Sequence, residues 1–150
     1  MKRFRFRLQR LLEIREQEKK AALHHFAQAR QATQAAALKL EMAAARRAAS
    51  AEELLARRQR RMTVQEWRWS AALHEALVAE EWLAAERLAA AQQEEERRRR
   101  ELTEAERRQK VLERLRDRRA AEFERAMLAA EQKAIDEMAQ VVYREGGSRL

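Results

Sequence analysis

Histidine is the residue type here best suited to metal or acid–base chemistry, and the spacing of the three argues against both. His24 and His25 are adjacent, so on a helix they point roughly 100° apart. His74 lies far along the chain. A zinc helix needs two histidines on one face, as in HExxH, and no pair supplies that spacing. The absence of cysteine removes disulfides, thiolate catalysis and zinc–cysteine sites. The 25 carboxylates sit in repetitive charged stretches, where burial is not available to tune a general acid or base. Gly146 and Gly147 are the only glycines, so there is no phosphate loop. The chain reads as non-enzymatic, with no cofactor and no metal expected. What could act is binding: three tryptophans at Trp67, Trp69 and Trp82, and an apolar row near the carboxyl end.

These anchors must be carried on helices. There is no proline and no asparagine, and the only aspartates are Asp117 and Asp136. Sheets, barrels and nucleotide-binding folds need turn residues that this chain lacks. Alanine supplies 32 residues and leucine 17, with charged residues at 39%. Such a mixture with helical periodicity predicts an all-α, long antiparallel two-helix coiled-coil hairpin with a C-terminal overhang. The chain reads as one hairpin over residues 1–150. Helix 1 is expected at about 2–61, a turn at about 62–64, helix 2 at about 64–144, and a frayed tail at 145–150. Thr63-Val-Gln-Glu66 fits a capping box, and Arg57, Arg58, Arg60 and Arg61 suit a preceding helix C-terminus. Gly146 and Gly147 are expected to end helix 2. The alternative is one helix running on through residue 63.

A hairpin folded there predicts that facing residue numbers sum to about 128. Leu54 then faces His74, Leu55 faces Leu73, Leu40 faces Leu88, Phe26 faces Leu102 and Phe4 faces Phe123. Leu11 and Leu12 lie near Leu112 and Leu115. The row Ala22, Phe26, Ala29, Thr33, Ala36, Leu40, Ala43, Arg47, Ser50, Leu54 keeps the 4-3 spacing of a left-handed coiled coil. Small residues dominate it, so little area is buried and stability is expected to be modest. Glu94, Glu95 and Glu96 precede Arg98, Arg99 and Arg100 by four, which predicts a solvated, internally paired face.

By the same register, residue 1 faces about residue 127, and helix 2 continues beyond it. Leu128, Glu131, Ile135, Met138 and Val142 keep strict 3-4 spacing, widened by Met127, Ala130, Ala134 and Val141. An amphipathic face of this kind needs a partner. A turn nearer residue 70 would let helix 1 cover it but would strand Trp67 and Trp69. Those two tryptophans are two residues apart, so at least one is expected outside the seam, as an interface anchor.

Two stretches resemble a known family. FRFRLQRLLEIREQE at residues 4–18 and EQKAIDEMAQ at residues 131–140 are similar to the two ends of the FliJ family, soluble components of the bacterial flagellar type III export apparatus. The resemblance implies an antiparallel two-helix coiled coil like that of a rotary ATPase gamma subunit. It implies as partners the hexameric export ATPase, the export gate membrane protein and export chaperones. The implied location is cytoplasmic, peripheral on the cell membrane at the flagellar base through the export apparatus. The ATPase contact falls on both ends: Phe4, Phe6, Leu8, Leu11 and Leu12, and Glu131, Gln132, Lys133, Ile135, Asp136 and Met138, with Leu128 and Val142 from the overhang. The gate contact falls on Trp69, Leu73 and Leu77 near the start of helix 2, beside Trp67. Injectisome stalk proteins share this architecture and are the nearest alternative.

The net charge of +8 permits two other partners. Nucleic acid is not expected, because glutamate interleaves almost every basic run. An anionic membrane surface could meet Lys2, Arg3, Phe4, Arg5, Phe6, Arg7 and Leu8. There, however, phenylalanine and arginine alternate at period two, which makes a poor amphipathic helix.

Overall fold

The computed structural model describes residues 3–147. Two long helices pack against each other, and no strand occurs among the described residues. α1 is Gln9–Arg58 and α2 is Val64–Gly147. The expected all-α hairpin is the observed fold.

Helix 1 starts later than expected. Residues 3–6 are not helical and residues 7–8 form a turn; Gln9 N–H donates to the Phe6 carbonyl at 3.1 Å. Burial explains the difference. Phe4, Phe6 and Leu8 are half-buried while Arg3, Arg5 and Arg7 are exposed. Only a chain with a two-residue period puts those three apolar residues on one side. A helix would point Phe4 and Phe6 about 200° apart. Lys2, the first residue of the expected helix and of the basic start, lies outside the described residues.

α1 also ends three residues earlier than the expected 61. The Arg60 N–H donates to the Arg57 carbonyl at 3.0 Å, closing a final turn, and residues 59–63 make the reversal. No described residue has positive φ, so the reversal needs no glycine. The capping box then starts α2: the Glu66 N–H donates to Thr63 Oγ1 at 3.2 Å, and the Thr63 N–H donates to Glu66 Oε2 at 3.0 Å. At the far end α2 runs through Gly147 instead of stopping near 144. Glycine permits a left-handed cap without imposing one, and Gly146 keeps negative φ. Of the expected frayed tail, residues 148–150 lie outside the described residues.

The chain divides into two compact units. In the unit of residues 20–104, all ten positions of the row from Ala22 to Leu54 are buried or half-buried, with Ala29 and Ala43 most enclosed. The facing row on α2 runs Trp67, Ser70, His74, Leu77, Glu81, Ala84, Leu88, Ala91, Glu95, Arg98 and Leu102. Polar bonds fix the register. Thr33 Oγ1 lies 3.1 Å from the Ala29 carbonyl and 3.2 Å from that of Ala91. Arg46 meets Glu80 at 3.0 Å, Arg47 pairs with Glu81, and Arg57 Nη1 donates to Ser70 Oγ at 3.4 Å. Arg47 with Glu81 matches the expected sum, and the other pairs fall at most four short of it. Two facing assignments change. His74 Nδ1 meets Ser50 Oγ at 3.3 Å where Leu54 was expected, and Leu55 and Leu73 are both exposed rather than paired in the seam. The Ser50–His74 pair falls four short of the expected sum, one helical turn along α1.

In the unit of residues 1–19 with 105–150, Leu12 is fully buried and Leu112 nearly so, with Leu11 and Leu115 half-buried. The Phe4 and Phe123 rings meet as expected, centroids 5.8 Å apart and tilted by 50°. Gln109 lies in this seam with its Oε1 buried and without a partner among the described residues.

Candidate interaction site

Each candidate residue is positioned by which side of these helices it occupies. Leu12 cannot meet a partner from inside the seam, and Leu11, Phe4, Phe6 and Leu8 are half-buried against their own unit. Five of the residues expected to bind an ATPase ring therefore act first as the packing that holds the N-terminal segment in place. An open groove of about 780 Å³ runs along that segment; Phe4, Phe6, Leu115 and Phe123 line it together with Arg3, Arg5, Arg7 and Arg119.

The carboxyl-terminal stretch of α2 is different. From residue 128 to residue 146 every residue is exposed. Leu128 is 65% exposed, Ile135 55%, Met138 63% and Val142 69%, so nothing in the unit covers this face. Around it two polar pairs form within the helix. Gln132 Nε2 donates to Asp136 Oδ1 at 3.0 Å, and Lys133 Nζ meets Glu137 at 3.8 Å. Glu131 is exposed beside them. The stripe is an exposed apolar row interrupted by Glu131, and a helix face of this kind is buried only by a partner.

At the turn, the tryptophans separate. Trp67 is half-buried beneath Arg58, whose guanidinium carbon lies 5.1 Å from the ring centroid, a cation–π contact that helps close the turn. Trp69 is 67% exposed, Leu73 is exposed and Leu77 is half-buried in the seam. Trp69 and Leu73 border a small cavity with Ser50, Glu53, Leu54, Arg57 and Ser70. Arg57 is tied to Glu53 by two bonds of 2.7 and 3.1 Å, which leaves the indole as the dominant apolar feature of this edge. Trp82 is also exposed, further along α2, with exposed Val78 four residues before it.

The basic run is internally paired. Glu94 meets Arg97 and Arg98 at 2.8 Å, Arg98 also reaches Glu101 at 3.0 Å, and Arg99 meets Glu95 at 3.6 Å. Glu96 pairs with Arg99 at 3.9 Å rather than with Arg100 as expected, and Arg99 also lies over the Phe26 ring, 5.7 Å from its centroid. The Arg97 hydrogen bonds hold the Glu94 carboxylate below its ordinary range, with Arg98 adding to the effect, and the same bonds hold Arg97 above its own.

His24 and His25 have centroids 6.1 Å apart with their planes tilted by 54°, and both are exposed. Among the described residues no three of His, Cys, Asp and Glu gather to hold a metal ion, and no helix is long and apolar enough to cross a membrane. The surfaces on offer are thus a bare apolar helix face, a tryptophan edge and a basic N-terminal segment.

No curated protein and no solved structure gives a match. The family model of the flagellar FliJ protein does match, over residues 4–148, nearly the whole length. Both terminal stretches that carry the resemblance fall inside the match, and so do the two helices and the uncovered face. The chain belongs to the FliJ family, whose members are non-enzymatic components of the flagellar protein-export apparatus.

Proposed function

We propose that this protein is a stalk in the flagellar export apparatus, seated by its carboxyl-terminal overhang in the hexameric export ATPase. Its tryptophan edge would engage the membrane export gate, and it would escort export chaperones. One observation carries the reading: the face of Leu128, Ile135, Met138 and Val142 is uncovered. The N-terminal set of Phe4, Phe6, Leu8, Leu11 and Leu12 packs against α2 ahead of the overhang and contributes less directly to the ring than the terminal motif implies. Glu131, Gln132, Lys133 and Asp136 then rim the apolar stripe.

Magnitudes favour a transient seat. Fully burying a large apolar side chain gains about 1.5–3 kcal/mol. Four that start roughly 60% exposed gain on the order of 4–7 kcal/mol together, comparable to the ~4 kcal/mol or more that association costs. Such a contact can leave one subunit interface and take the next, biasing ring states by population shift. Trp69 and Leu73 supply the exposed apolar anchors for the gate, with Trp67 and Leu77 half-buried nearby on α2.

The test is a double substitution, Ile135→Asp with Met138→Asp. It is expected to abolish stimulation of the cognate export ATPase while circular dichroism stays helical. Undiminished stimulation by the helical variant would defeat the seat.

A further inference from the structure

The ten residues from Met1 to Arg10 include five basic and no acidic side chains, more than half of the net charge of +8. In the structure, residues 3–8 form an arm with two sides. Phe4, Phe6 and Leu8 turn toward the unit and Arg3, Arg5 and Arg7 are exposed. Each of the three arginines is exposed while its apolar neighbour is half-buried, so the positive charge lies on the outward side of the arm. None of the three forms an ion pair among the described residues, whereas Arg119 beside them is bridged to Glu122 at 3.0 Å. The groove between arm and α2 is lined by Phe4, Phe6, Leu8, Leu115 and Phe123 and also by Glu122, whose charge is paired with Arg119.

We infer that this arm and its groove bind an acidic phospholipid at an anionic membrane surface. The ligand must be negatively charged to meet the arginines and apolar to enter the groove, and an anionic amphiphile is both. Single-stranded nucleic acid fits less well, because base stacking needs outward aromatic rings and here both phenylalanines are turned in. The period-two alternation, wrong for an amphipathic helix, is right for an arm that packs one side and charges the other. This site uses none of the overhang residues and stands whether or not they seat in a ring.

Full-length protein is floated with vesicles of phosphatidylcholine alone and with about 30% phosphatidylglycerol, at low and at physiological salt. Each basic residue near such a surface contributes about a fivefold gain, so the triple variant Arg3→Gln, Arg5→Gln, Arg7→Gln should bind the anionic vesicles roughly a hundredfold more weakly. Circular dichroism should be unchanged, and the corresponding triple lysine variant should retain most of the binding. Equal recovery with both vesicle types overturns the inference, and so does a glutamine variant that binds like the parent. Preferential binding of a short oligonucleotide through the same arginines, with no preference for phosphatidylglycerol, also overturns it in favour of a nucleic-acid site.

Discussion

Leu12 is the sharpest place to test how this protein holds itself together, because its side chain is fully buried where few others are. Leu→Ala in a closed core costs about 2–5 kcal/mol, the spread reflecting how far the cavity can collapse. Here the packing is one helix against one helix, with no third layer. Leu112 is nearly buried, and Leu11 and Leu115 are only half-buried, so they are free to close in. The low end, about 2–3 kcal/mol, follows. Since every 1.4 kcal/mol is tenfold, local opening should rise roughly 30- to 150-fold. Native-state hydrogen exchange resolves this by residue. Leu12→Ala should accelerate exchange at residues 9–16 and 109–116 by that factor, and at residues 74–91 by much less. A rise below about threefold at 109–116 would mean that Leu12 is not the keystone its burial implies, and the reasoning from packing would fail.

Two further outcomes follow from the polar groups. Gln109→Leu removes a buried carbonyl oxygen that has no partner among the described residues, at the loss of one 2.9 Å bond to Glu113. An unsatisfied buried group costs about 1–3 kcal/mol, so the variant should melt a few degrees higher by circular dichroism; an equal or lower midpoint would show that solvent reaches the amide. Glu94 is held low by Arg97, so its pairing is present above the ordinary carboxylate range and is lost as pH falls through its own lowered value. In a carboxyl NMR titration, Arg97→Gln should raise the Glu94 midpoint, and no movement would assign the shift elsewhere.

Much of the fold was legible because its signals are local and repeated. The 4-3 row from Ala22 to Leu54 could be counted along the chain, and every member of it lies in the seam. Thr63 and Glu66 announced a helix start through a bond pattern spanning only four residues. What escaped depends on tertiary contact. The two-residue period of Phe4, Phe6 and Leu8 was visible, but a helical reading made it look like a defect; only the packing of Phe4 on Phe123 shows that it belongs to a non-helical arm. Likewise the sequence put Trp67 and Trp69 in one cluster, whereas Arg58 covers one ring and leaves the other exposed. Side-chain capture of this kind carries no periodicity. The uncovered face from Leu128 to Val142 was legible by subtraction, since register arithmetic left it without a facing residue.

The reversal at residues 59–63, built without any left-handed residue, governs where the gene can change length. Codons added there lengthen a linker whose conformation most amino acids can adopt, at a loop-closure cost that grows only slowly. One codon added on the helical side of Arg58 would instead rotate every preceding seam side chain by about 100° and bring alanines to solvent and charges inward. Reporter dyes, protease sites or tethers belong in that short bend, where a handle can be carried without disturbing the phase of either helix.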